Sequence, residues 1–324
     1  MKLNEKLILQ EGKSMNKRIA EEIIRTENLS KNYGRVKAVD GISLNVNKGE
    51  IYGFLGLNGA GKTTTIRMLL GMIRPSGGAS YLMGEKVHSG SHNLWNNVGY
   101  LVEIPYSYPE LSVRENLEIT RRLRFIPDAN AVNTVMEQLK ITPYHDRKAK
   151  NLSMGNAQRL GLAKALIHNP KILILDEPSN GLDPAGIVEI RELLMDLAHN
   201  QGVTIFISSH ILGEISKIAT RIGIIHEGKL IQEMDSKELH QYRNRSLLVD
   251  LKNKKDALEL LEKRGFNPTL TEDGLIEMTL EKALFHPEDV NFNLVQAGLS
   301  PSMLKVEEEE LESYFLRIIG KGAF

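Results

Sequence analysis

Residues 56–63 read Gly56-Leu57-Asn58-Gly59-Ala60-Gly61-Lys62-Thr63, a complete G-x-x-x-x-G-K-[ST] loop directly after the apolar run Ile51-Tyr52-Gly53-Phe54-Leu55. A strand that ends in glycines and then opens a helix points successive backbone N–H groups into one concavity, which suits triphosphate oxygens. Asn58, Gly59, Ala60 and Gly61 would form this cradle, continued by the amides of Lys62, Thr63 and Thr64. The Lys62 ammonium would reach the outer phosphates and the Thr63 hydroxyl would ligate Mg²⁺. A second motif, Ile172-Leu173-Ile174-Leu175-Asp176-Glu177-Pro178, is an apolar strand ending in two carboxylates. Asp176 would hold Mg²⁺, and Glu177 would face the terminal phosphate and orient or deprotonate an attacking water. Two acids marking a strand end is the plainer reading; the phosphate loop upstream favours ATP hydrolysis.

The elements that must position these residues follow from pattern. From Ile23 to about Gly84, short runs of Ile, Val and Leu broken by Gly, Asn and Asp read as strands and turns feeding the loop. Between Ser112 and Asn169 apolar residues recur at helical spacing, in Val113–Leu117, Ala131–Leu139 and Gln158–Ile167, which predicts a helical insert. Strand patterns return at Lys171–Asp176 and Val203–Ser208 with a helix at Ile187–Asn200 between them, a parallel crossover unit in a buried sheet. After about Asp235 the phosphate-handling residues stop. Leu247–Leu251, Ala257–Lys263, Leu275–Leu280 and Val290–Gln296 suggest a small second α/β domain. The acidic run Glu307–Glu310 reads as the solvated lead-in to a terminal amphipathic helix.

With 324 residues, 41% hydrophobic and 25% charged, the chain can bury a large core. Lys plus Arg and Asp plus Glu are 41 each, so no overall field favours a polyanion, and no nucleic-acid partner is expected. The absence of cysteine removes disulfides, thiolate metal sites and cysteine nucleophiles. No apolar run is long enough to span a bilayer, and Leu7-Ile8-Leu9 in the charged stretch Met1–Ala20 is too short for a signal-peptide core. Cytoplasmic residence is expected. Residues 1–22 read as an N-terminal extension, with Met15 an alternative start.

Leu152-Ser153-Met154-Gly155-Asn156-Ala157-Gln158-Arg159-Leu160 lies about twenty residues before the Asp176 strand, where ATP-binding cassette (ABC) proteins carry their signature sequence. The chain resembles that family over 23–235, with the helical insert at about 106–170 and an accessory domain at 236–324. The resemblance implies an antiparallel β subdomain beside a P-loop ABC ATPase core. It also implies a homodimer in which Ser153, Gly155, Asn156 and the helix N-terminus behind them contact the ATP held by the opposing subunit. Tyr33 falls where family members place an aromatic against adenine, although a core tyrosine would read the same. Ser179-Asn180-Gly181-Leu182-Asp183-Pro184 resembles the loop that crosses to the partner and couples the two sites, with Asp183 in it. Ser208-Ser209-His210 ends a strand at the place of the switch histidine, which would help position Glu177 and the water.

One departure stands out. The family's usual glutamine, which touches Mg²⁺ and faces the membrane subunit, is replaced by Glu103 in Gly99-Tyr100-Leu101-Val102-Glu103-Ile104-Pro105. A carboxylate is a better hard-oxygen ligand than an amide but adds negative charge beside the phosphate, so Glu103 should need metal or a cationic neighbour. This departure and the drift to Met154 and Asn156 resemble the branch that exports bacitracin and lantibiotic peptides. The implied assembly is a cytoplasmic ATPase, peripheral on the inner face of the membrane through a transmembrane permease. The rivals are an ABC ATPase for a lipid, ion or drug, a ribosome- or DNA-directed ABC protein, and a regulatory nucleotide sensor.

Overall fold

The computed structural model describes residues 21–88, 90–103 and 105–320. Residues 1–20 of the expected extension, with the alternative start at Met15, lie outside the described residues. Strand β1 (Glu22–Tyr33) turns at Gly34 into β2 (Val36–Asn47), and the two pair antiparallel. β4 (Gly77–Leu82) pairs with the other edge of β1 and leads into β5 (Glu85–Lys86), giving the order β2-β1-β4-β5.

The second sheet carries the chemistry. It contains β3 (Ile51–Leu55), β6 (Val98–Leu101), β7 (Ile172–Asp176), β8 (Thr204–Ser209), β9 (Arg221–His226) and β10 (Lys229–Asp235), in the order β10-β9-β3-β8-β7-β6. Only β10 runs antiparallel to its neighbour. Every residue of β3, β7 and β8 is buried, as expected of parallel strands covered on both faces. Helix α1 (Lys62–Leu69) follows β3. Because β3, β8 and β7 are adjacent and parallel, Gly56, His210 and Glu177 emerge at the same sheet edge, where open α/β sheets bind ligands.

The helical insert holds α2 (Val113–Leu123), α3 (Ala131–Gln138) and α4 (Met154–Leu166). Ser112 and Glu115 start α2 with a reciprocal capping box. Helix α4 begins at Met154, four residues before the apolar periodicity suggests, because the Ser153 hydroxyl caps the Asn156 amide. Helix α5 (Pro184–His199) likewise starts before Ile187, with Asp183 as cap and Pro184 in the first turn. A single turn, α6 (Leu212–Ile215), follows β8.

The chain divides into two compact units between Ser236 and Lys237. The second contains α7 (Leu239–Tyr242), β11 (Arg245–Asp250), α8 (Lys254–Lys263), β12 (Thr269–Leu270), β13 (Ile276–Met278), α9 (Glu281–Phe285), α10 (Pro287–Gln296), β14 (Met303–Glu308) and α11 (Leu311–Ile318). Its antiparallel sheet, ordered β12-β13-β11-β14, packs Leu247, Val249, Ile276 and Met278 against Leu261 of α8 and Leu294 of α10. The acidic run does lead into α11, with Glu307 and Glu310 exposed, but two of its carboxylates are paired rather than solvated. Glu307 and Glu308 belong to β14, Arg243 bonds Glu308 at 2.8 Å and Arg317 bonds Glu309 at 2.7 Å. The arginines come from elsewhere in the unit, so local charge pattern misses them. The α/β P-loop core with antiparallel subdomain, helical insert and small C-terminal α/β unit is otherwise as the sequence suggests.

Candidate functional site

The phosphate loop starts where β3 stops. Gly61, with φ +109°, is the N-cap of α1, and a Cβ there would press into the Ala38 carbonyl oxygen, so only glycine fits. Having no side chain, Gly61 accepts nothing from the first-turn amides of Lys62, Thr63 and Thr64, which stay available for an anion. Asn58 and Gly59 are exposed at the loop tip, and the Ala60 amide closes the loop on Leu57 O at 3.0 Å. The Lys62 side chain is only 5% exposed; its ammonium donates to Gly56 O at 2.7 Å and Leu57 O at 3.3 Å and pairs with Glu177 at 3.1 Å.

Across the loop, buried Asp176 ends β7. Its Oδ2 accepts the Thr63 hydroxyl at 2.7 Å and its Oδ1 accepts the Ser208 hydroxyl at 2.5 Å. Two hard-oxygen donors thus sit side by side, a set that fits Mg²⁺. Among the described residues no group of three or more His, Cys, Asp or Glu side chains could hold a metal alone. This accords with the habit of Mg²⁺ of taking one or two carboxylates together with substrate phosphates.

Glu177 adopts φ +48°, a left-handed conformation that a non-glycine residue takes at a cost. Its amide donates to Ser208 Oγ at 3.1 Å, and its Oε2 accepts from Asn180 at 2.9 Å and lies 2.8 Å from His210 Nδ1. Burial raises its pKa, but the Asn180 hydrogen bond, the Lys62 ammonium and His210 together hold the carboxyl below the ordinary glutamate value. The group is therefore ionised at neutral pH.

Of the remaining sequence-derived positions, Ser153, Gly155, Asn156 and Asp183 form a second locus. Ser153 Oγ accepts from the Asn156 amide at 3.3 Å, and Asp183 Oδ1 accepts from the Gly186 amide at 2.9 Å. Gly181, with φ +76°, lets Met154 pack over it, and the buried Gln158 amide donates to Pro178 O at 3.0 Å. Among the described residues no hydrogen bond or ion pair joins Ser153, Gly155 or Asn156 to the Lys62–Glu177 cluster. Tyr33 is 48% exposed, with the Lys31 ammonium 5.2 Å from its ring centre. Glu103, with φ +56°, bonds Arg67 Nη2 at 2.6 Å.

The family model described as "ABC transporter" matches residues 39–180, from Val39 through the phosphate loop to Asn180. The bacitracin transport ATP-binding protein BcrA of Bacillus licheniformis is 41% identical over 302 residues, covering 93% of this chain and 98% of that protein. The chain belongs to the ABC transporter ATP-binding proteins. The lantibiotic transport ATP-binding protein SrtF of Streptococcus pyogenes is 35% identical, covering 70% of this chain and 99% of its own. A solved ATP-binding subunit of an ABC transporter matches with TM-score 0.62 and 25% identity, over 68% of this chain and 92% of that one.

In this ABC ATPase, sequence reasoning leaves three partners without a role. Ser208 holds both Asp176 and the Glu177 amide, Asn180 holds Glu177, and Arg67 pairs with Glu103. The signals are faint. Ser208 is a hydroxyl at the end of a buried strand, Asn180 stands three residues after Glu177, and Arg67 lies one helical turn beyond Thr63.

Proposed function

We propose that this ABC ATPase is the ATP-hydrolysing subunit of an exporter giving resistance to an antimicrobial peptide of the bacitracin or lantibiotic kind. It would act as a homodimer, peripheral on the cytoplasmic face of the membrane beneath a transmembrane permease. Hydrolysis rests on one observation above all: Glu177, ionised at neutral pH, is held by Lys62, Asn180 and His210 beside the Thr63–Asp176 pair. The cargo reading rests on relatives named for bacitracin and lantibiotic transport, one of them matched almost end to end. Among the described residues no helix is long and apolar enough to cross a membrane, so a cargo path needs a partner.

The residues divide the work as follows. Tyr33 offers an exposed ring face to adenine, and the amides of Asn58, Gly59 and Gly61 to Thr64 receive the phosphates around the turn that Ala60 closes. Lys62 exchanges Glu177 for an outer phosphate oxygen, which frees the carboxylate to take a proton from the attacking water. Asn180 and His210 aim that carboxylate. Thr63 and Asp176 would hold Mg²⁺; when bound, the metal would neutralise charge on the phosphate oxygens. Because Ser153 Oγ accepts a backbone amide, its own proton remains free to donate. Ser153, Gly155 and Asn156 at the tip of α4 would give that donor and the helix dipole to the ATP of the second protomer. Asp183 stays in its own chain as a helix cap, shaping the loop that runs between the two sites.

Light scattering of Glu177→Gln with and without saturating ATP tests the assembly. An ATP-dependent dimer is expected, and a protein that stays monomeric overturns the sandwich. Bacitracin and lantibiotic inhibitory concentrations in cells lacking this chain test the cargo. Unchanged sensitivity to both would favour a lipid, ion or drug as cargo, or a regulatory role.

A further inference from the structure

Two cations compete for the Glu103 carboxylate: a metal at the Thr63–Asp176 pair, or a side chain of the protein. The geometry points to the second. We propose that Arg67 is the positioning residue of Glu103, and that this ion pair, rather than metal ligation, is what Glu103 does. The Arg67 guanidinium lies 2.6 Å from Glu103 Oε1. Arg67, Glu103 and Lys164 line one groove of about 430 Å³ together with Met72, Tyr100 and Tyr106. Lys164 donates to Tyr106 O at 2.7 Å, and among the described residues no ion pair joins it to Glu103.

The pair ties two parts of the site. Arg67 and Thr63 share α1, four residues and one turn apart, so a shift of the first turn is carried to the root of the Arg67 side chain by a rigid hydrogen-bonded cylinder. Glu103 sits just past β6, at the entry to the segment that leads into α2 of the helical insert. Its backbone is left-handed, a conformation that a non-glycine residue takes at a cost, and its carboxylate meets α1 through Arg67. The pair thereby links the helix that opens the phosphate loop to the segment that enters the helical insert. The pairing also cancels the carboxylate's charge, so Glu103 adds little repulsion toward a terminal phosphate. The inference rests on the reading above that the first turn of α1 binds nucleotide phosphates.

The test combines Arg67→Gln, Glu103→Gln, the double variant and the charge swap Arg67→Glu with Glu103→Arg, all in a Glu177→Gln background. Two quantities are measured: the ATP concentration that drives dimerisation at low and high salt, and the Mg²⁺ concentration that half-saturates tightening of a fluorescent ATP analogue. Both side chains are partly exposed, so each single variant should shift the dimerisation midpoint by roughly two- to fivefold at low salt, and by less at high salt. The double variant should shift it no further than either single one, and the swap should restore it, with Mg²⁺ half-saturation unchanged throughout. A Glu103→Gln protein that needs about tenfold more Mg²⁺ while Arg67→Gln does not would make Glu103 a metal ligand and overturn the proposal. Additive effects of the two single variants would overturn it as well. Failure of the background protein to bind the analogue or to dimerise would instead sink the parent reading, and this inference with it.

Discussion

Glu177→Gln should move nucleotide affinity and turnover in opposite directions, because Glu177 both activates water and competes with phosphate for Lys62. In the structure the Lys62 ammonium has three partners, Gly56 O, Leu57 O and the Glu177 carboxylate at 3.1 Å, and the lysine is 5% exposed while Glu177 is 17% exposed. Removing one member of a fully buried ion pair costs about 3–5 kcal/mol. Here both carbonyl bonds survive, the glutamine amide oxygen takes the place of one carboxylate oxygen, and Glu177 retains some solvent. The cost should therefore fall to about 1–2 kcal/mol, a melting temperature lower by roughly 2–8 °C for a unit of this size. The same energy no longer opposes phosphate binding, so ATP should bind about 5–30-fold more tightly. Loss of the general base should slow hydrolysis by about 10²–10⁴-fold. Thermal unfolding without nucleotide, equilibrium binding of a fluorescent ATP analogue and single-turnover hydrolysis read the three quantities. If the variant loses turnover yet binds ATP no more tightly than the wild type, Lys62 and Glu177 do not oppose the phosphate and the argument fails.

Two further predictions follow from the hydrogen-bond partners. Asn180→Ala removes a donor that favours the charged form of Glu177, so its pKa should rise and the acid limb of the hydrolysis pH profile should move to higher pH; an unmoved limb would remove Asn180 from the site. His168 is held neutral, its pKa lowered to about 4 by burial and by the Arg124 charge against the opposing pull of its bond to Val98 O. The unfolded chain therefore binds the extra proton first, and the stability due to this group is present above about pH 6.5 and lost as pH falls toward 4. Replacing His168 with Gln should flatten urea-unfolding stability across that window, and an unchanged slope would mean the ring does not titrate there.

How much of this site the sequence discloses depends on whether a residue's partner is local. Lys62, Thr63, Asp176 and Glu177 announce themselves because a glycine loop before a helix and an acid pair after an apolar strand are local patterns with one evident chemistry. The sheet order is not local: β8 inserts between β3 and β7, and it brings Ser208 opposite Asp176. No pattern within β7 or β8 alone predicts that register, so the hydroxyl that fixes Asp176 and Glu177 passes for a strand end. Helix starts fail for a related reason. The first turns of α4 and α5 lack apolar periodicity and are set by Ser153 and Asp183, whose capping bonds are short-range but invisible to a search for hydrophobic spacing. Charges are the least legible, since the meaning of a carboxylate is set by its cation. Glu308 and Glu309 look solvated until Arg243 and Arg317 fold onto them, and nothing in the segment around Glu103 announces that Arg67 of α1 stands beside it. Glu177 is the instructive contrast. Its cation, Lys62, belongs to a motif whose destination beside the phosphates is known in advance, so its acid could be assigned a task before its neighbours were seen. Glu103 pairs with an arginine that belongs to no such motif, and only the fold could supply its partner.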